Sequence, residues 1–546
     1  MVLTLTRKMK VVCCVGLTLA VVGIVMIPVV QAIVKSKIKE EMMLKEGGML
    51  YKIWKNFSIP IYMQIYMFNL SNPDEFKSGQ KPAMVQTGPY TYREERYKIN
   101  ITHNANGTVT YRQIRRFIFN RTMSVGDESD LFVTINPVLM TLLASLHSES
   151  GLVREIVSFV LGLSGQDIII TRSVSDVIWG YHDPVLAKAM KIAKSWFYTD
   201  YVGYFINKNN TDDGLYTVFT GENDINKLGV INKYNGSSYV DYWSTKWANM
   251  INGSDGTIAP PFQEKTTTLP MFSSDICRSV FGVYTSDVKS PQGINLHRFT
   301  STEDQLANKT INPANVGFCT PNTSCMGTGV LNISQCQLLD YFHIPIVVSF
   351  PHFLMADMKY LSAVDGMHPN KQEHETAVDY EPMTGLVLQA AKRLQINIYI
   401  APIDKMKQTY NIKPVVFPVF WLNESSVVDD SHAETLQNML FTPLLVAKVL
   451  EIVLIAGGSL LLVSGLGLAF IKRKMLGRIE PQIEPPQHID SYDERQPLLS
   501  GSLSGKVPPA LVDESRNTGR DASHMDDDDV PDFHVETGGS PSGGVN

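Results

Sequence analysis

Outside its last 75 residues this chain has no net charge. Residues 472–546 hold 8 Lys/Arg against 14 Asp/Glu, which accounts for the whole formal charge of −6 and leaves 40 of each sign elsewhere. A neutral body has no bulk attraction for polyanions, which excludes nucleic acid as a partner. Reactive signatures are missing as well: there is no G-x-S-x-G elbow, no Walker-type phosphate loop and no H-E-x-x-H pair. The chain therefore reads as a non-enzyme with no cofactor and no metal. His368 and His374, flanked by Glu373 and Glu375, fit neither a helical i, i+4 pair nor a common zinc spacing, and read as surface hydrogen-bonding or loop-fixing groups. His352, between Pro351 and Phe353 in an apolar stretch, reads as a satisfied core histidine.

Cysteine is scarce, 6 residues in 546. Cys13 and Cys14 fall in an apolar run, as small hydrophobes or palmitoylation sites. Cys277, Cys319, Cys325 and Cys336 cluster in the middle of the chain, and the C-x5-C gap is longer than zinc sites use. Two disulfides in an oxidising compartment are expected, with the pairing left open. No Gly/Ser/Pro-rich linker and no repeat interrupts residues 35–448, so one large domain is expected there.

Two long apolar runs are present. Val11 to Val34 has no charged residue between Lys10 and Lys35, and Ile452 to Ile471 lies between Glu451 and Lys472. Each can cross a hydrocarbon layer of roughly 30 Å as a helix of about 20 residues. Every N-x-[ST] acceptor lies between them: Asn56, Asn69, Asn100, Asn106, Asn120, Asn209, Asn235, Asn252, Asn308, Asn322, Asn332 and Asn423. Asn-linked sugars mark a lumenal or exterior face. The reading is a hairpin: cytosolic residues 1–10, a transmembrane helix over 11–34, a glycosylated domain over 35–448, a second transmembrane helix over 449–471, and a cytosolic tail. Lys472, Arg473, Lys474 and Arg478 fit a cytosolic C-terminus. Basic residues flank the first run on both sides, and Val30-Gln31-Ala32 offers the rival reading of a cleaved signal peptide, although the run exceeds a signal core.

The tail over 472–546 is too polar to offset its ordering entropy by burial and is expected to be disordered. Within it, Asp493, Glu494, Leu498 and Leu499 form an acidic dileucine pattern, a sorting signal suited to a clathrin adaptor. In the large domain, Gln395 to Ile400 alternates like a half-buried strand, Val109 to Phe119 and Val415 to Leu422 have strand composition, and Asn106-Gly107 signals a hairpin. Pro137 to Leu163 reads as helical and ends at Ser164-Gly165. From Leu152 the apolar residues Leu152, Ile156, Phe159, Val160 and Leu163 recur on one helical face, with Arg154 and Glu155 between them. Such a stripe is most often core; the alternative is a surface that holds a partner or a lipid.

Several segments resemble the class B scavenger receptor family, most closely its lysosomal branch. They include Gly88-Pro89-Tyr90-Thr91-Tyr92-Arg93-Glu94, Trp179-Gly180-Tyr181, Asn249 to Gly256, Asp275 to Val280, Gly317-Phe318-Cys319, Ser349 to Phe353, and the long block from Gly366 to Tyr399. The resemblance implies an α+β fold: a two-pass membrane protein with a large lumenal antiparallel β-barrel enclosing an apolar tunnel. It also implies an apical helical bundle over about 137–196 and the pairings Cys277–Cys336 and Cys319–Cys325. In the lysosomal member the apex binds glucocerebrosidase near neutral pH, with an apical histidine sensing acid. Aligned on Val153-Arg154-Glu155-Ile156, this chain has Gly151 at that histidine's place. His147 would share the same face of a continuous helix and is the candidate pH sensor; Gly151 with Ser148 and Ser150 equally suits a helix end.

The expected function is a receptor of lysosomal and late endosomal membranes, with the plasma membrane as a further location and both termini cytosolic. It would bind and transfer sterol, phospholipid or fatty acid, and the alternative is release of a hydrolase cargo on acidification. Homo-oligomerisation is left open.

Overall fold

The computed structural model describes residues 6–192, 199–266, 268–320, 325–336, 338–339 and 342–476. The dileucine residues Asp493, Glu494, Leu498 and Leu499, and Asn322, lie outside the described residues.

A 13-stranded antiparallel sheet forms the frame. In chain order its strands are β1 (Asn56–Leu70), β2 (Met84–Asn104), β3 (Thr108–Phe119), β4 (Thr211–Phe219), β5 (Ile231–Tyr234), β6 (Leu269–Ser273) and β7 (Arg278–Lys289). Then follow β8 (Asn295–Thr300), β9 (Val330–Asn332), β10 (Ile346–Ser349), β11 (Ala377–Tyr380), β12 (Val387–Ile400) and β13 (Val415–Val427). Hydrogen bonding runs β6-β7-β8-β11-β12-β13-β1-β2-β3-β4-β5, with β10 on β12 and β9 on β10. Asn104 opposes Thr108 across the turn at Asn106-Gly107, as the turn chemistry requires.

The sheet curls until its two edges nearly meet. The segment at Gly253-Ser254 fills the gap: Ile231 N–H donates to the Gly253 carbonyl and Phe272 N–H to the Ser254 carbonyl, both at 2.8 Å. Gly253 is needed there, because φ is +82° and a Cβ would lie 1.8 Å from the Pro270 carbonyl oxygen. Near-closure of this kind covers the strand edges that an open sheet would expose.

The chain enters and leaves the barrel at one end, since Ile61 of β1 opposes Ser426 of β13. Two short helices plug that base. Leu50, Tyr51 and Trp54 of helix Met49–Lys55 pack with Val109, Tyr111 and Tyr216. Ala433 and Leu436 of helix Asp430–Leu436 pack with Ile59, Leu296 and Leu388. Beyond the plugs lie the two apolar helices, Arg7–Glu41 and Thr442–Leu476, both long and apolar enough to cross a membrane. They touch through small residues: a Cβ on Gly16 would lie 2.7 Å from the Gly458 carbonyl oxygen, and one on Gly458 2.5 Å from Ala20 N.

The opposite end carries an insertion between β3 and β4. It holds a ribbon of Leu131–Ile135 paired with Ile169–Ser173, and helices Pro137–Ser145, Gly151–Leu163, Val174–Trp179 and Pro184–Ile192. Asn69, near the far end of β1, accepts from Val133 N–H at 2.8 Å and ties the ribbon to the barrel.

Three local expectations need correction. Pro137 to Leu163 is not one helix: a 3₁₀ turn at Leu146–Ser148 breaks it, and Ser150 caps the second helix by accepting from Val153 N–H at 3.4 Å. A serine oxygen that satisfies a free helix N–H favours a new start over continuation. The Gln395–Ile400 strand is buried on both faces up to Tyr399, because the turn at Pro351–Phe353 covers its outer side. Gln395 and Asn397 are fully buried and satisfy one another at 2.7 Å, while Gln395 also accepts from His352 N–H at 2.6 Å and Asn397 donates to the Val347 carbonyl at 3.0 Å. His374 fixes its loop by accepting from Asn370 N–H at 2.9 Å, but it is buried rather than on the surface. His352 is the core histidine expected, with Nε2 2.7 Å from Gln86 Oε1 and Nδ1 accepting from His368 N–H at 3.1 Å.

The His352 and His374 rings stack at 4.5 Å. Burial, with His374 and His368 nearby, pushes His352 down to about 3; burial, with Arg393 nearby, pushes His374 down to about 4. Both stay neutral in the folded protein where the unfolded chain takes up protons. Stability is therefore full above about pH 6.5 and declines as pH falls toward 4. Replacing His374 with Gln is expected to remove on the order of 2 kcal/mol of that acid-linked loss. Thermal melting from pH 7 to pH 4 checks it, and an unchanged slope refutes it.

Candidate functional site

The barrel encloses a cavity of about 220 Å³. Phe57, Ile61, Phe272, Val280, Val348 and Leu394 give it apolar walls. One side is ionic, built from four strands and a turn. Glu94 and Arg96 come from β2, Arg115 from β3, Lys392 from β12 and Glu424 from β13, and Asp275 joins them from the turn before β7. Arg96 Nε meets Glu94 at 2.6 Å and Arg115 Nε meets the same oxygen at 2.8 Å. Arg115 also reaches Glu424 at 3.2 Å and Asp275 at 3.5 Å. Arg96 pairs with Glu424 and Lys392 with Asp275. Three cations thus balance three carboxylates.

Burial alone would push the Glu424 carboxyl up, but Lys392, Arg96 and Arg115 outweigh it and hold the group down at about 2. Asp275 is likewise held well below the carboxylate range by Lys392 and Arg115 against the opposing effect of burial. No group of three His, Cys, Asp or Glu side chains suited to a metal occurs among the described residues.

A second cavity of about 70 Å³ lies between the two plug helices at the base. Met49, Ile53, Trp54, Ile59, Leu388 and Leu436 line it, and it shares Phe57, Thr257 and Val387 with the larger cavity. At the apex, helix Gly151–Leu163 turns its apolar stripe outward. Leu152, Ile156, Phe159, Val160 and Leu163 are 69%, 56%, 65%, 55% and 74% exposed. The inward face is mixed: Leu161 joins the main core with Val157 beside it, while buried Ser158 donates to Gln408 at 2.9 Å and accepts from Lys407 N–H at 3.0 Å. The expectation of a core stripe is overturned: the helix is anchored through Val157, Ser158 and Leu161, which leaves the five stripe residues facing solvent.

Residues 14–469 match the CD36 family. The chain is 37% identical to human lysosome membrane protein 2 over 473 residues, covering 86% of this chain and 94% of that protein. It is 35% identical to pig scavenger receptor class B member 1 over 452 residues, covering 82% of this chain and 86% of that one. The chain belongs to the CD36 family.

With the two terminal helices, this kinship supports a two-pass lysosomal membrane receptor, among relatives that are receptors rather than enzymes. In this CD36-family chain Cys277 bonds Cys336 and Cys319 bonds Cys325. Asn56, Asn100, Asn106, Asn209, Asn235 and Asn252 are exposed, while Asn69, Asn120, Asn308, Asn332 and Asn423 are half-buried. The Asn423 amide donates to Gln64 at 2.9 Å and that of Asn308 to the Met326 carbonyl at 2.6 Å. His147 is exposed in the 3₁₀ turn and lies off the helix that carries Gly151, whose Cα faces the Lys405 side chain. Arg154 folds back onto the Glu149 carbonyl at 3.0 Å, and Glu155 meets Lys405 at 3.8 Å.

Sequence reasoning missed the ionic wall. The run Tyr92-Arg93-Glu94-Glu95-Arg96-Tyr97 looks like a solvated strand, although Glu94 and Arg96 share one face at spacing two. Glu424→Leu leaves Arg96, Arg115 and Lys392 short of a carboxylate in a buried site, and a loss of about 3–5 kcal/mol is expected. Denaturant unfolding of the purified protein measures it; a loss below about 1 kcal/mol would show the cluster to be hydrated like a surface pair.

Proposed function

We propose that this chain takes up lipid (sterol, phospholipid or fatty acid) in the barrel cavity and passes it toward the bilayer. One observation carries the reading: the barrel cavity and the base cavity share Phe57, Thr257 and Val387 at the end of the barrel that bears both apolar helices. An acyl chain moving along such a path gains about 0.8 kcal/mol per buried CH₂ and need never be fully hydrated. The ionic wall gives polar head groups a place without a metal or a covalent step. Ala390 lines the barrel cavity, and Ala390→Phe is expected to fill it and cut co-purifying lipid several-fold in folded, full-length protein. Mass spectrometry of lipid per mole of protein reads the outcome, and unchanged lipid rules the cavity out as the binding place.

A second reading rests on the exposed apical stripe. Contiguous exposed leucine, isoleucine and phenylalanine on one helix face suit a protein partner. The partner proposed is a lysosomal hydrolase such as glucocerebrosidase, captured near neutral pH and released in acid. Ile156→Asp is expected to abolish hydrolase capture in a pull-down at pH 7 while leaving lipid content unchanged. Retained capture would clear the stripe of that role, and a pH dependence unaltered by His147→Gln would clear His147 of acting as the sensor.

A further inference from the structure

Lys98 of β2 is a buried cation with no anion in contact; Asp255 and Asp213 act on it only from beyond salt-bridge distance. It is 5% exposed, and its ammonium donates to the Trp54 carbonyl at 3.0 Å and to Gln113 Oε1 at 2.9 Å. It sits 4.8 Å from the Trp54 ring centre and 5.2 Å from that of Tyr111. No carboxylate lies within 4.0 Å of Nζ among the described residues, in contrast to Arg96, Arg115 and Lys392. An ammonium has three N–H donors, and a buried one lacking a counter-ion is costly to keep. Lys98 lines the base cavity, while its hydrogen-bond partner Gln113 lines the barrel cavity. The pair therefore stands on the partition between the two, beside the shared wall of Phe57, Thr257 and Val387.

We propose that Lys98 is the docking point for the anionic head, carboxylate or phosphate, of a single-chain amphiphile whose tail starts in the base cavity against Ile59, Leu386, Leu388 and Leu436 and continues past the shared wall. The inference rests on the lipid reading above and adds a head-group class and a position to it. An incoming anion supplies a contacting counter-charge in a water-poor site, where charge-assisted hydrogen bonds are strongest. Burial, with Arg96 adding to it, pushes the Lys98 ammonium down to about 8 against the opposing pull of Asp255 and Asp213. It therefore carries its proton at neutral and acidic pH.

Full-length protein in a non-ionic detergent, with protein-free micelles as the blank, is titrated with oleate, oleyl alcohol and inorganic phosphate. Wild type is expected to bind oleate about 10-fold or more tighter than the uncharged alcohol. Lys98→Met should erase that preference and leave alcohol affinity unchanged, while Lys98→Arg should keep it. Equal binding of acid and alcohol by wild type, or an intact preference in a folded Lys98→Met protein, overturns the assignment while lipid carriage stands. Binding of neither probe sinks the lipid reading itself. Phosphate alone displacing oleate would assign the site to a free anion and overturn the amphiphile. Should Lys98→Met fail to fold, wild type still decides: its preference should fade from about pH 7 to about pH 9 as the amine loses its proton. The groups facing this amine are Asp255, Asp213, Arg96, Tyr111 and, across the base cavity, His432. A preference constant over that range refutes the proposal.

Discussion

Six clustered charges, Glu94 and Arg115 buried and the other four half-buried, hold one side of the barrel and keep its cavity open. Glu94, Arg96, Arg115, Lys392, Glu424 and Asp275 tie β2, β3, β12 and β13 to the turn before β7. Paired ions keep fixed distances and cannot interdigitate as methyl groups do, so the wall they form resists collapse onto the apolar side. A buried cluster of this sort adds little net stability, yet each member is expensive to lose. It is a constraint on shape more than a source of folding energy.

The two ends of the barrel make opposite use of apolar surface. At the base, Leu50, Trp54, Ala433 and Leu436 turn inward and leave a small hydrocarbon-lined gap beside the membrane helices. At the apex, Leu152, Ile156, Phe159 and Leu163 turn outward while Ser158 faces the protein. The base thus holds a gap lined by hydrocarbon, and the apex presents apolar side chains to solvent. Both arise on short helices anchored to a rigid sheet, which places each without requiring it to move.

Much of the architecture was legible in the chain. Anchor helices follow from the apolar runs, the β2–β3 hairpin from Asn106-Gly107, and β13 from the composition of Val415 to Leu422. The family segments led to the barrel and to the cysteine pairing. Legibility failed where a residue's surroundings come from distant sequence. The polar stretch His147 to Gly151 allowed either a continuous helix or a break at Leu146–Ser148, and the cap at Ser150 decides for the break. Gln395 and Asn397 look solvent-facing by alternation, but the turn at Pro351–Phe353, some forty residues earlier, covers them. His374 looked like a surface group for the same reason.

The sequence by itself determined which segments cross a membrane, which carry sugar acceptors, where charge accumulates and how the long strands alternate. Each of these depends on neighbours a few residues apart. Only the tertiary structure decided that Glu94 and Glu424 share their cations, that the apical stripe faces out, and that Lys98 stands between two cavities. Electrostatic pairing and burial depend on distances through space, and Arg96 and Glu424, which pair in the ionic wall, are 328 positions apart along the chain.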